Sequence, residues 1–352
     1  MSSTVVKNNI TADIFIPKRV FIEPAALDYE LGIRLRDHFR SAGIPVTVTG
    51  SHNRVTGIPG QTAQEAFVEA KRTLVVGVRK GKDFQTCKPS AHYQLPLVTG
   101  CPGKCEYCYL LTNLGKKPYL RVYVNIEEIL ERAESYITHR LPEETVFEGA
   151  ATSDPIPVER YTGALKQAIE FFGQNRYARF RFVTKFTDVD SLLDARHNGR
   201  TRFRFSLNAQ PVIKNFEHGT PSMRERIAAA GKVAQAGYPL GFLIAPIMMY
   251  DGWQQDYSEL FEELNRVLEP HYRHDLTFEF ITHRFTQRAK LNINQLFPQS
   301  RLDMDESKRQ FKYGQFGYGK YVYPKEALAE ISQLFQLHLA KHFPGAKVEY
   351  LV

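Results

Sequence analysis

The sequence predicts an α/β fold: a full or partial (β/α) barrel, preceded by an α/β extension and followed by a β-hairpin and a helix. Three observations carry this. Strand-like stretches of period two alternate with helix-like stretches of period 3.6 along most of the chain, the signature of βα units with parallel strands and right-handed crossovers. About six such units follow one another, which suits a barrel better than a long open sheet. The 352 residues, 43% hydrophobic and 24% charged, suffice for one large domain with extensions.

Residues 1–15 are polar and lack the basic start and apolar core of a secretory signal, so they read as a disordered lead-in or a tag. The extension, 16–90, alternates "KRVFIEP" (strand), "ALDYELGIRLRDHFRSAG" (helix, ended by Gly43), "IPVTVTG" (strand), "TAQEAFVEAKRT" (helix) and "LVVGV" (strand). "RKGKDFQTCKPSAHY" reads as a linker. The barrel, 91–290, starts with the short strand "QLPLVTG", which feeds a cysteine-rich loop. Its later strands are "LRVYVN", "TVFE", "RFRFVTK", "RFRFSLN", "PLGFLIAPIMMY" and "DLTFEFITHRF", with amphipathic helices between them. The last segment, 291–352, carries "ESKRQFKYGQFGYGKYVYP", a hairpin over 308–323, and the helix "KEALAEISQLFQLHLAKHF".

No apolar run approaches ~20 residues, so no membrane span is expected. The formal net charge of +8 suits an anionic partner such as nucleic acid. Three of the four cysteines, Cys101, Cys105 and Cys108, crowd into "TGCPGKCEYCYLLTNLG". One cluster without a matching second argues against a disulfide framework and for a reducing cytoplasm, where such a cluster binds metal or catalyses. Thiolates favour zinc, copper(I) or iron–sulfur. A zinc site would need a fourth ligand, which Cys87 or His92 would supply. A cubane cluster held by three cysteines would keep one iron open for a chelating ligand. At this point both readings stand.

CxxxCxxC after the first strand of a βα barrel resembles the radical S-adenosylmethionine (SAM) enzymes, as does Tyr107 just before the third cysteine. The motifs "PLVTGCPGKCEYCYL", "EGAATSDP", "FVTKF", "RFSLN" and "ITHRF", with the basic aromatic hairpin, sharpen this. Together they resemble the spore photoproduct lyases from about Lys18 to the C-terminus. The resemblance implies a partial (β/α)6 TIM-type barrel of the radical SAM kind. It also implies a [4Fe–4S] cluster on Cys101, Cys105 and Cys108, with SAM on the open iron. The reaction implied is a carbon–carbon lyase step in DNA repair. A 5′-deoxyadenosyl radical takes hydrogen from C6 of 5-thyminyl-5,6-dihydrothymine, the link between the two thymines breaks, and a cysteine returns a hydrogen atom.

At the position of that cysteine this chain has Ala151. The expectation is an engineered cysteine-to-alanine variant of an active enzyme, which binds SAM and begins the reaction but is impaired in the hydrogen return; a natural alanine here would remove the engineering from that reading. Cys87, outside any matching motif, reads as a linker thiol and a remote substitute. Tyr109 resembles the family's hydrogen relay, and Tyr107 the aromatic that lies against SAM or joins the relay. Strand-end logic and the resemblance place Ser153, Lys185, Ser206 and Ala245 on SAM, with Asp154 a weaker candidate. Arg284 is the candidate for holding the lesion; His283 beside it reads more readily as a satisfied interior histidine than as a ligand. In the hairpin, Lys308, Arg309, Lys312 and Lys320 interleave with Phe311, Tyr313, Phe316, Tyr318, Tyr321 and Tyr323, a pattern suited to phosphates and bases.

The expected partners are double-stranded DNA with the dimer flipped out and a one-electron reductant such as flavodoxin or ferredoxin. A monomer in the cytoplasm of a spore or germinating cell is expected. The competing readings are a radical SAM enzyme on another substrate and a zinc-stabilised nucleic-acid-binding module.

Overall fold

The structure, a computed structural model, describes residues 14–50, 55–81, 83–88, 90–115, 117–268, 275–313, 317 and 319–352. Most of the expected lead-in lies outside these residues, as do Phe316 and Tyr318 of the hairpin.

Two sheets organise the chain. The first opens with β1 (Arg19–Ile22), β2 (Val46–Val48) and β3 (Thr73–Gly77), all parallel. Helices Glu30–Ser41 and Ala63–Lys71 connect them, the second started by a Thr62–Glu65 capping box. The stretch read as a linker is structured instead. It forms β4 (Thr86–Cys87), antiparallel to β5 (Ala91–Gln94). Strands of two and four residues are too short to display a period, which is why the sequence hid them. Next come β6 (Val98–Thr99), β7 (Lys104–Cys105) within the cysteine loop, and β8 (Leu120–Tyr123). β6 and β8 turn back into the first sheet, whose order is β2-β1-β3-β8-β6. Strands from beyond residue 90 therefore complete the extension.

The second sheet is the partial barrel. β5 pairs with β9 (Thr145–Glu148), followed by β10 (Ala178–Thr184) and β11 (Thr201–Leu207). The short β12 (Glu217–His218) leaves this sheet to pair with β7. β13 (Leu240–Ile247) and β14 (Thr277–Thr282) continue it, so β5, β9, β10, β11, β13 and β14 run parallel side by side. The hairpin is β15 (Gln310–Tyr313) with β16 (Gly319–Val322), and after helix Lys325–His342 an unforeseen β17 (Lys347–Leu351) lies parallel on β14.

The period of two sorts the barrel strands into faces. Phe147, Phe180, Phe182, Phe203 and Phe205 face the helices, and Phe172 of helix Ala164–Gln174 stacks on Phe180 with ring centroids 5.1 Å apart. The alternating "RFRF" arginines then face the concave side. There Arg204 bonds Glu148 and, at 2.6 Å, Glu279, while Arg181 reaches Glu148 at 3.1 Å. All four side chains are largely or fully buried, and each charge meets an opposite one, the condition for tolerating charges inside.

Candidate active site

The cysteine loop is tied down on three sides. Gly100 donates its N–H to Thr152 O (3.0 Å) and accepts from Asp154 N (3.2 Å), which fastens the loop to the one after β9. A Cβ on Gly100 would stand 2.5 Å from Tyr119 O, and φ is +87°, so only glycine fits there. Across the loop, β7 sets Cys105 opposite Glu217. Beneath it, Lys71 Nζ donates to Cys101 O at 2.7 Å. Cys108 N–H donates to Cys105 O at 3.2 Å, turning the third thiol back towards the second.

The site brings three predicted residues together. Lys185, just past β10, donates to Ser206 Oγ at 2.9 Å and to Tyr107 OH at 3.4 Å. It pairs with Glu217 at 3.1 Å, and the Tyr107 hydroxyl donates to the same carboxylate. Buried Arg226 closes the group on Glu217 at 2.5 Å. Burial would raise the Glu217 carboxyl, but Arg226 and Lys185 overcome it and hold the group at about 2. Glu217 and Arg226 escaped the sequence reading: "NFEHGT" and "MRERIAAA" match no site motif, and only the fold carries them to the cysteine loop.

Asp154 accepts from Thr184 Oγ1 (2.7 Å), Lys185 N (2.9 Å) and Ile156 N (3.3 Å), so it positions Lys185 from below. Its own carboxyl is pushed by burial up to about 6. Ser153 bridges to Gly100, and its buried Oγ has no hydrogen-bond partner in the protein. Ala245 lies half-buried near the end of β13, on the concave face with Ser206. Tyr109 donates its hydroxyl to Ala151 O. Ala151, Ser153, Glu148, Gln94 and Gln85 border a cavity of about 220 Å³.

Cys87 is not in a linker. It is half-buried on β4, where Glu148, Arg181 and Arg204 of the concave face surround it electrostatically. His92, the other suggested zinc ligand, is occupied: Nδ1 accepts from Val146 N at 2.9 Å, and Nε2 lies 3.2 Å from Arg140. Neither completes a site with the triplet. Among the described residues no three His, Cys, Asp or Glu groups close around one metal ion.

The lesion candidates separate. His283 is buried and its imidazole is lowered to about 3 by burial and by Arg309. Arg309 is buried as well, donating to His283 O (2.9 Å) and Asp303 O (3.1 Å) with its guanidinium 3.7 Å from the Tyr323 ring centroid. Both brace the hairpin from beneath. Arg284 is half-exposed at the hairpin base and close enough to Lys320, with Lys312, to lower its ammonium after burial. Lys308, Lys312 and Tyr313 are exposed.

A profile of spore photoproduct lyase matches residues 15–352. The chain belongs to the spore photoproduct lyase family. It is 51% identical to the spore photoproduct lyase of Bacillus subtilis over 96% of this chain and 98% of that one. It is 53% identical to the lyase of Geobacillus sp. over the same shares. A solved spore photoproduct lyase, a double mutant (cysteine to alanine, serine to cysteine) with bound AdoMet and dinucleoside spore photoproduct, superposes with a TM-score of 0.93. It shares 54% identity over 96% of this chain and 99% of that chain. The fold is thus the radical SAM partial barrel of the spore photoproduct lyases. The family's cluster and AdoMet fit the residues present. Three thiols share one braced loop, the open Ser153 Oγ wants a polar ligand, and the Lys185 ammonium stands ready for a carboxylate.

Proposed function

We propose that this chain is a radical SAM carbon–carbon lyase that repairs DNA by reversing 5-thyminyl-5,6-dihydrothymine to two thymines. The carrying observation is the convergence of the CxxxCxxC loop with the Lys185–Ser206–Glu217–Tyr107 group and the partnerless Ser153 Oγ, in a member of the spore photoproduct lyase family. When bound on Cys101, Cys105 and Cys108, the [4Fe–4S] cluster and AdoMet supply the radical that takes hydrogen from C6.

The chain's own residues do the rest. Lys185 offers its cation to the AdoMet carboxylate, with Ser153 and Ser206 on its remaining polar groups and the Ala245 backbone beside adenine. Glu217 and Asp154 keep Lys185 in place. Arg284 and the hairpin lysines hold the DNA, with the lesion flipped towards the mouth. A one-electron carrier, flavodoxin or ferredoxin, reduces the protein. The protein acts as a monomer in the cytoplasm of a spore or germinating cell; no described helix is long and apolar enough to cross a membrane.

Ala151 has no transferable hydrogen. Cys87 is the one cysteine outside the cluster motif; it is half-buried on β4, near enough to Glu148 and Tyr109 to act on both electrostatically. We assign the hydrogen return to it. The Cys87 S–H bond breaks as the C–H bond of the product thymine forms. Tyr109 then gives its hydroxyl hydrogen to the Cys87 sulfur radical and would take one back from 5′-deoxyadenosine, whose carbon radical would regenerate AdoMet. Burial, then Glu148, pushes the Cys87 thiol up to about 11, so it keeps its hydrogen at neutral pH.

The test is anaerobic reconstitution, reduction by dithionite, and chromatography for 5′-deoxyadenosine and for thymidine released from dinucleoside spore photoproduct. Both products are expected. An intact iron–sulfur spectrum with neither product would overturn the assignment.

A further inference from the structure

Resting on that reading, we infer that an acidic one-electron carrier docks on the basic face formed by Arg72, Lys104 and Lys18 over the cysteine loop. Lys104 lies between Cys101 and Cys105 in sequence, on β7. Lys71 Nζ reaches Cys101 O of the same loop at 2.7 Å, and Arg72 follows Lys71 at the end of its helix, which brings Arg72 to the loop that carries half-buried Lys104. Arg72 is exposed at the end of helix Ala63–Lys71, and its carbonyl accepts from Lys18 N at 2.8 Å, which continues the face to Lys18. The carboxylates nearby are spent: Glu69 pairs with Lys18 and Arg19, Glu217 is buried on Arg226 and Lys185, and Glu106 is held by His218 at 2.7 Å and by Ser300. Among the described residues neither Arg72 nor Lys104 has a carboxylate partner. Lys18 is offset by Glu69, but Arg72 and Lys104 keep their charges without counter-ions, and such like charges raise the local potential and steer a partner of opposite sign.

Position selects the partner. Lys71 of the same group bonds Cys101 O directly, and Lys104 is next to Cys105. A protein covering these side chains puts its redox group next to the ligand loop. The hairpin and Arg284 are separate elements, so DNA and reductant have different surfaces. The transfer is one electron from the carrier to the protein, with no bond made or broken.

The experiment uses the reconstituted holoenzyme and a flavodoxin in its hydroquinone form. Affinity is read by calorimetry at low and moderate salt. Arg72→Glu, on a fully exposed side chain, and Lys104→Gln are compared with Lys312→Glu on the hairpin. Arg72→Glu is expected to weaken flavodoxin at least about tenfold and Lys104→Gln several-fold, while both keep iron content, affinity for duplex DNA and dithionite-driven 5′-deoxyadenosine formation. Added salt is expected to erase most of the difference. Unchanged flavodoxin affinity in both variants, or no binding by the parent, overturns the dock. Loss of duplex affinity in place of flavodoxin affinity would reassign the face to phosphates. Failure of the dithionite-driven reaction in the parent would instead strike the lyase assignment.

Discussion

With Ala151 in place of the family's cysteine, the hydrogen return proposed for this protein rests on one sulfur. If Cys87 is the hydrogen donor, Cys87→Ala should leave 5′-deoxyadenosine formation from AdoMet intact and cut thymidine yield at least about tenfold, since one transfer step of the reaction loses its group. Adding Ala151→Cys to that variant should restore repair. Repair by Cys87→Ala at the parent rate would remove Cys87 from the mechanism. The cysteine triplet was legible because its spacing is itself the signal; Cys87 could be named only as a remote substitute, because its surroundings come from β4 folding against β5. Glu217 was hidden for the same reason, and its pairing has a pH signature. Its carboxyl sits at about 2 in the folded protein against an ordinary 4.5. A folded value below the unfolded one stabilises fully above the unfolded value and is lost as pH falls through the window from about 4.5 to about 2. Glu217→Gln should flatten that acid limb in a denaturant titration of the metal-free protein. It should also lower stability at neutral pH by about 3 kcal/mol, because buried Arg226 loses its counter-charge. An unchanged acid limb would assign the pairing no weight.

At the scale of elements, the hairpin shows what a pattern can and cannot tell. Alternating aromatic and basic residues around glycines announced β15 and β16, but period two does not say which face is buried. The structure resolves it through Phe285, which exchanges backbone hydrogen bonds with Tyr321 at 2.8 and 3.2 Å and so seats the hairpin on the end of β14. Arg309 is spent beneath, and Lys308, Lys312, Lys320 and Arg284 remain near the surface. Four phosphate contacts give a slope of about −3.6 in log affinity against log salt, and each lost contact removes about 0.9. Lys312→Ala should therefore shift the slope to about −2.7 in fluorescence anisotropy with duplex DNA. Arg309→Ala should loosen the hairpin by loss of its stacking on Tyr323. A slope near zero in the parent would sink the hairpin as a DNA surface.

Across the whole molecule, the βα rhythm foretold six parallel strands but not their neighbours. β6 and β8 were counted with the barrel and belong to the first sheet, and β17, which follows the C-terminal helix, closes on β14, the last expected barrel strand. A rhythm records the order of elements along the chain, whereas sheet membership is fixed by long-range pairing. One network spans that pairing. Arg204 on β11 joins Glu148 on β9 to Glu279 on β14, and Tyr350 on β17 donates to Glu279 at 2.5 Å. The concave floor is therefore held by charges that four strands must bring together. They lie under the loop of Ala151, where Glu148 Oε1 accepts Ala150 N at 3.2 Å. Removing the central cation leaves Glu279 with only the Tyr350 hydroxyl and Glu148 with only Arg181, at a cost of about 3 kcal/mol. Arg204→Met should thus lower the urea midpoint markedly and, by freeing Glu148, reduce repair even where the protein remains folded. Arg204→Met/Glu279→Gln, which keeps Glu148 on Arg181 and leaves no unpaired charge, should recover most of the stability without recovering repair. If Arg204→Met unfolds at the parent midpoint, the floor is held by the phenylalanine layer on the other face of the same strands and not by charge.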